Sequence, residues 1–122
     1  MKQIRTGLLS LFILLLPSIV IAASPILVPA WQTNAVFEQP ESIAFDAKNK
    51  QLYVSNINGS PTDADANGYI SQLSLDGSVK ELHWLDGLNA PKGLTIVGNK
   101  LYIADINELV VVDIKNKKIT QR

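Results

Sequence analysis

Beyond residue 39 the chain is built from short apolar runs with period-two alternation. Residues 42–46 (SIAFD) form the first. Residues 51–55 (QLYVS) alternate, are rich in β-branched and aromatic side chains, and follow the turn-forming Lys48-Asn49-Lys50. Residues 69–75 (YISQLSL) place Tyr69, Leu73 and Leu75 on one parity and Ile70 on the other. Asp76-Gly77 is a two-residue hairpin signal, and residues 79–85 (VKELHWL) read as its return strand. No window of helical length shows a 3.6-residue period with caps. The pattern predicts an all-β domain.

The 39 residues before it read differently. In residues 24–39, Pro25 and Pro29, followed by Pro40, discourage a helix, while Ile26, Leu27, Val28, Trp31, Val36 and Phe37 predict an extended, partly packed lead-in. Residues 1–23 combine a positive start (Lys2, Arg5), an apolar run from Leu8 to Leu16, Pro17, and the small residues Ala22 and Ala23. This is the layout of a secretory signal peptide, too short for a comfortable span of about 20 residues. An uncleaved N-terminal anchor is the alternative. The expected destination is the periplasm or the extracellular space.

The chain also repeats itself. Pro40-Glu41-Ser42-Ile43-Ala44-Phe45 matches Pro91-Lys92-Gly93-Leu94-Thr95-Ile96, and residues 52–58 (LYVSNIN) match residues 101–107 (LYIADIN) without a gap. Residues 69–75 then match residues 108–114 (ELVVVDI), so the offsets run 51, 49 and 39, with the main length difference in residues 59–68. Four short antiparallel strands recurring every 40–50 residues or so are the signature of a β-propeller blade. Two blades are expected, residues 40–90 and residues 91–122, the second incomplete because no fourth strand is evident after Lys117. Their outer faces then lack neighbours and expose an apolar patch and an unpaired edge. Uncovering about 400 Å² forfeits on the order of 10 kcal/mol at ~25 cal/mol per Å², so self-association or association with further blades is expected.

The Pro-Glu-Ser-Ile opening at residue 40, the Leu-Tyr-Val-Ser-Asn strand at residue 52, the Asp-Ala-Asn-Gly-Tyr-Ile loop at residue 65 and the junction at residues 84–93 (WLDGLNAPKG) resemble secreted bacterial propellers of the senescence-marker/gluconolactonase/luciferin-regenerating-enzyme-like group. Some members of that group carry the label periplasmic ATP/GTP-binding protein. The resemblance implies a ring of six blades, of which this chain supplies about the N-terminal third. It also implies that a glutamate opening the first strand, here Glu41, ligates a divalent metal whose other ligands come from later blades.

Composition narrows the chemistry. The 122 residues carry 11 basic and 11 acidic side chains, one histidine and no cysteine. Two of the basic residues lie in residues 1–23, so the remainder carries 9 against 11 and is weakly acidic. Without a basic run there is no electrostatic footprint for nucleic acid, and no stable membrane insertion is expected after signal cleavage. Absence of cysteine excludes disulfides, thiolate metal sites and cysteine nucleophiles; a lone His83 excludes a multi-histidine zinc site.

Asp63-Ala64-Asp65-Ala66-Asn67-Gly68 reproduces the start of a D-x-D-x-N-G calcium loop, in which alternate oxygen ligands curl round a hard cation. Its twelfth position is Ser74 rather than a carboxylate, and the flanks read as strand, so turn chemistry competes with metal binding. Glu41, Asp63, Asp65 and Asn67 are thus the candidate metal ligands, at two separate places, and a divalent cation such as calcium is the one cofactor considered. Asn56 and Asp105 end equivalent strands and are expected as turn or cap residues. Residues 87–93 (GLNAPKG) depart from a phosphate-binding loop, because Lys92 falls at the sixth position and Pro91 lacks an N–H. His83 lacks a nucleophile in any recognisable motif, G-x-S-x-G being absent, and is expected to pack on an aromatic neighbour. The expected function is a binding or interaction element, its small-molecule ligand unidentified and with no catalysis of its own. A metal-dependent hydrolase of sugar lactones or related esters is the alternative.

Overall fold

The computed structural model describes residues 24–122, and the expected signal peptide lies outside the described residues. Eight strands run in chain order: β1 (Pro40–Asp46), β2 (Gln51–Asn56), β3 (Gly68–Ser74), β4 (Val79–Leu88), β5 (Leu94–Val97), β6 (Lys100–Asp105), β7 (Glu108–Asp113) and β8 (Lys118–Gln121). They form two four-stranded sheets, β1-β2-β3-β4 and β5-β6-β7-β8, each an antiparallel meander. The fold is all-β, and the two sheets are consistent with adjacent propeller blades.

One expectation fails. Lys118–Gln121 supplies the fourth strand of the second sheet, pairing Val112 with Ile119 and Asp113 with Lys118. Its sequence, KITQ, is too short and polar to signal a strand alone; pairing with the Val-rich β7 gives it one.

The repeat seen in the sequence is a repeat of register. In the first sheet Val54 faces Ile43 on one side and Ser71 on the other; in the second, Ile103 faces Leu94 and Val110. Tyr53, flanked by Ala44 and Gln72, is matched by Tyr102, flanked by Thr95 and Val111. The offsets 51, 49 and 39 are therefore rungs of the same ladder, and the change between the last two is taken up wholly in the β2–β3 loop. A one-residue slip would exchange the faces of every side chain, so this agreement fixes which face of one sheet corresponds to which face of the other.

The core lies between the sheets. Ala44, Tyr53, Ile70, Trp84 and Leu88 of the first sheet pack with Leu101, Ile103, Val110, Val112 and Ile114 of the second. Tyr53 and Trp84 meet with ring centroids 4.7 Å apart at 59°, a tilted arrangement that suits their quadrupoles.

Candidate interaction surface

Each sheet has one face towards the inter-sheet core and one away from it. On the second sheet the core-facing set is Leu94, Ile96, Leu101, Ile103, Val110 and Val112, and the opposite set includes Thr95, Tyr102, Ala104 and Leu109. By register, that opposite set corresponds to Ala44, Tyr53, Ser55 and Ile70, the very residues of the first sheet that the second sheet covers. The difference in exposure is direct. Ile70 is 0% accessible, whereas its counterpart Leu109 is 55% accessible; Val97, at the same open face, reaches 63%. The second sheet therefore repeats a docking face and leaves Thr95, Val97, Ala104 and Leu109 exposed on it, while Tyr102 is half-buried and Val111 buried.

The first sheet's far face is different, because the lead-in lies on it. Trp31, Phe37, Ile43, Val54 and Leu73 line an apolar hollow of about 270 Å³ there. Val54 and Leu73 are buried, and the expectation that both outer faces are bare is corrected to this extent. Trp31 sits on the β3–β4 hairpin: a Cβ added to Gly77 would come within 2.4 Å of its ring. Gly77 also has φ +84°, so glycine is required both by the turn and by the tryptophan.

Polar groups lock the two sheets at their junction. Ser55 Oγ donates to Lys92 O at 2.8 Å and accepts from Ser42 N at 3.0 Å. The Asp105 carboxylate, buried, accepts from the backbone N–H groups of Asn89, Ala90 and Ile106 at 2.8, 2.8 and 3.0 Å. Asp105 is thus a cap residue. Lys92 Nζ donates to Pro61 O and Ala90 O, which gives it a structural place at the junction rather than a phosphate-binding one. Asn56, the register counterpart of Asp105, donates to Val54 O and Ser71 Oγ, but its buried Oδ1 has no partner.

The residues considered as metal ligands are not brought together. Glu41 is exposed on β1, where it borders the apolar hollow beside Trp31 and Phe37. Asp63, Asp65 and Asn67 lie in the exposed loop before β3. Within that loop Asn67 Nδ2 donates to Asp65 Oδ2 at 2.7 Å, and Asn67 N donates to the other oxygen at 3.4 Å. As arranged, the Asn67 amide turns its donor, not its oxygen, towards Asp65, and a cation there would require it to rotate. Among the described residues no three His, Asp or Glu side chains cluster as a metal shell would need. Glu41 supplies a single carboxylate at this place, and the other ligands that the family resemblance implies would come from later blades.

His83 does pack on an aromatic, but the ring is Tyr69 on the neighbouring strand, stacked at 3.9 Å, while the adjacent Trp84 points into the core. Its Nδ1 lies 2.7 Å from Asp86 Oδ1 on the surface. At one end of the inter-sheet core, Lys48, Asn49, Gln51, Gln72 and Lys115 rim a polar cleft of about 540 Å³ around the edge of Tyr53. Gln72 Nε2 donates to Tyr53 Oη at 3.2 Å, yet burial outweighs this bond and pushes the phenol above its ordinary 10.0.

Comparison with known proteins points to the same half of the chain. A family model described as the LVIVD repeat, a repeat associated with β-propeller-like folds, matches residues 91–118. These residues hold β5 to β7 and the start of β8, and Leu109-Val110-Val111-Val112-Asp113 on β7 reads as the motif itself with one conservative change. That pentapeptide was the signal available in the sequence beyond a general Val-rich strand. No curated protein and no solved structure matches this chain. Among the described residues, no helix is long and apolar enough to cross a membrane.

Proposed function

We propose that this protein is an exported binding element built from propeller-type blades, acting through the open face of its second sheet rather than through catalysis. One observation carries the reading: Leu109 is 55% accessible at the position where its counterpart Ile70 is fully covered by a neighbouring sheet. A face whose register twin is a docking face is suited to dock. A large apolar side chain left exposed on a face of this kind supports an interaction site there.

The positively charged, apolar and small-residue order of residues 1–23 supports export. The resemblance to lactonase-like propellers supports a hydrolase only through Glu41, which stands among Trp31, Phe37 and Ile43 instead of further carboxylates. The finer assignment to that group remains part of this proposal, and the LVIVD match supports the propeller-type blade.

Two measurements test the reading. Mass spectrometry of the protein recovered from outside the cytoplasm should find an N-terminus at Ala23 or Ser24; recovery of the full-length chain in membranes would overturn export in soluble form. The purified protein should leave sugar lactones unhydrolysed above the background rate with calcium, zinc or manganese added. Clear metal-dependent turnover would overturn the non-catalytic reading.

A further inference from the structure

We infer that the open face of the second sheet receives the far face of the first sheet from a second copy of this chain, with the lead-in moved aside. The inference rests on the interaction reading above and names its partner. It begins from continuity with the interface already present. The step that lays the second sheet on Ala44, Tyr53, Ser55 and Ile70, repeated once, lays another sheet on Thr95, Tyr102, Ala104 and Leu109.

The covering surface is then specified. It must match the set Leu94, Ile96, Leu101, Ile103, Val110 and Val112, which does the covering within the chain. By register the corresponding set on the first sheet is Ile43, Phe45, Leu52, Val54, Ser71 and Leu73. Five of the six are apolar on the same rungs, and Ser71 replaces Val110. A sheet of this kind, rather than a helix or a loop, is what the open face is shaped to take.

The lead-in occupies that set incompletely. Ile43 and Phe45 remain 55% and 53% accessible beneath it. Among the described residues, the backbone hydrogen bonds between this segment and the sheet begin only at Glu38. Asp105 accepts from Asn89 and Ala90 of the segment that precedes its own sheet, whereas the counterpart oxygen of Asn56 is buried without a donor even though the lead-in is in place. Trp31 and Phe37 therefore act as a displaceable plug on a surface meant for a larger partner.

The geometry names its own contact. Within the chain Ser55 Oγ reaches Lys92 O at 2.8 Å. The counterpart of Ser55 by register is Ala104, and that of Lys92 by the sequence repeat is Glu41, so Ala104 of one copy should lie against Glu41 of the next. This is a head-to-tail contact, which two copies meeting by their open faces would not make.

The chain has no native cysteine, so single thiols report cleanly. Full-length chains carrying Ala104→Cys and Glu41→Cys are mixed and treated with a short bismaleimide. The mixed 104–41 product should exceed either self-product by at least about ten-fold. Predominance of the 104–104 product would overturn the proposal in favour of two open faces meeting. A sedimenting monomer at every concentration, with no cross-link, would overturn it as well. Leu109→Lys, at an exposed position that the fold tolerates, should raise the dissociation constant by about ten-fold or more. Trp31→Ala, which loosens the plug, should lower it several-fold; no change, or a rise, would overturn the role of the lead-in. Lactone turnover tests the underlying functional reading separately, so the two can fail independently.

Discussion

Gly77 and Gly87 offer a controlled experiment on what holds the lead-in. Both have positive φ, +84° and +78°, so an alanine at either carries a similar left-handed penalty of roughly 1–2 kcal/mol. They differ in surroundings. A Cβ at Gly77 would lie 2.4, 2.8 and 2.9 Å from three atoms of the Trp31 ring, whereas nothing lies within 4 Å of one at Gly87. Gly77→Ala must therefore displace Trp31, and Gly87→Ala need not. Trp31 is 42% accessible, so a little over half of its side chain is covered. For a side chain that buries about 150–250 Å², this is some 90–150 Å², or roughly 2–4 kcal/mol at ~25 cal/mol per Å², an upper bound because denatured chains are not fully extended. Losing about 2 kcal/mol of docking raises the undocked fraction roughly 30-fold, and native-state proteolysis follows that fraction when docking is fast. Chymotrypsin cleavage after Trp31 or Phe37, timed by mass spectrometry, is the assay. Gly77→Ala should speed it by about 10- to 50-fold, while Gly87→Ala should leave it within about two-fold. The reasoning is refuted if both variants melt earlier by similar amounts and cleave at the same rate, because Trp31 would then contribute nothing to docking.

Asp105→Ala should cost about 3–5 kcal/mol in denaturant unfolding, because it strips the acceptor from three backbone N–H groups, whereas Asn56→Ala, which also removes an unpartnered oxygen, should cost less than half as much. Burial raises the phenols of Tyr53 and Tyr69 above 10.0, so the unfolded chain releases these protons first. The corresponding stability is intact below pH 10 and is lost as pH climbs from there through the folded values; melting curves should show the decline, and Tyr53→Phe should flatten it.

The strands and their pairing were legible because two independent patterns agree. Alternation marked β2 and β3, and the offset between copies then carried their register to β6 and β7, residue by residue. Beta-8 escaped because KITQ has no alternation to read; it is a strand only because Val111 and Val112 of β7 present an edge to it. Trp31 on Gly77 escaped for another reason. Nothing in local sequence tells that a lead-in residue will fold back over a hairpin some 46 positions away, although a tryptophan before the first strand and a glycine in a tight turn were each visible. For the metal candidates, spacing alone described the loop but not the direction of its groups. Asp65 and Asn67 stand where a calcium loop would place them, yet the Asn67 N–H points at the Asp65 carboxylate.

The same register that makes the two sheets alike also shows where they have diverged. At the far face of the first sheet stand Ser71 and Asn56; at the matching positions of the second stand Val110 and Asp105. Val110 is buried against the first sheet, and Asp105 is satisfied by the junction that precedes its own sheet. Ser71 instead donates to Leu82 O at 2.6 Å and accepts from Asn56, so these two polar groups satisfy one another within the sheet and need less from a neighbour. A face that meets its neighbour permanently can be apolar throughout, with its carboxylate fully bonded. One that is covered only by a movable segment gains from polar groups that remain paired when the cover lifts. The Ser71–Asn56 pair keeps its donors engaged within the sheet whether or not the lead-in is in place. The cost of uncovering the first sheet is therefore smaller than the cost of prising the two sheets apart, which is the condition that the proposed exchange of the lead-in for a second copy requires.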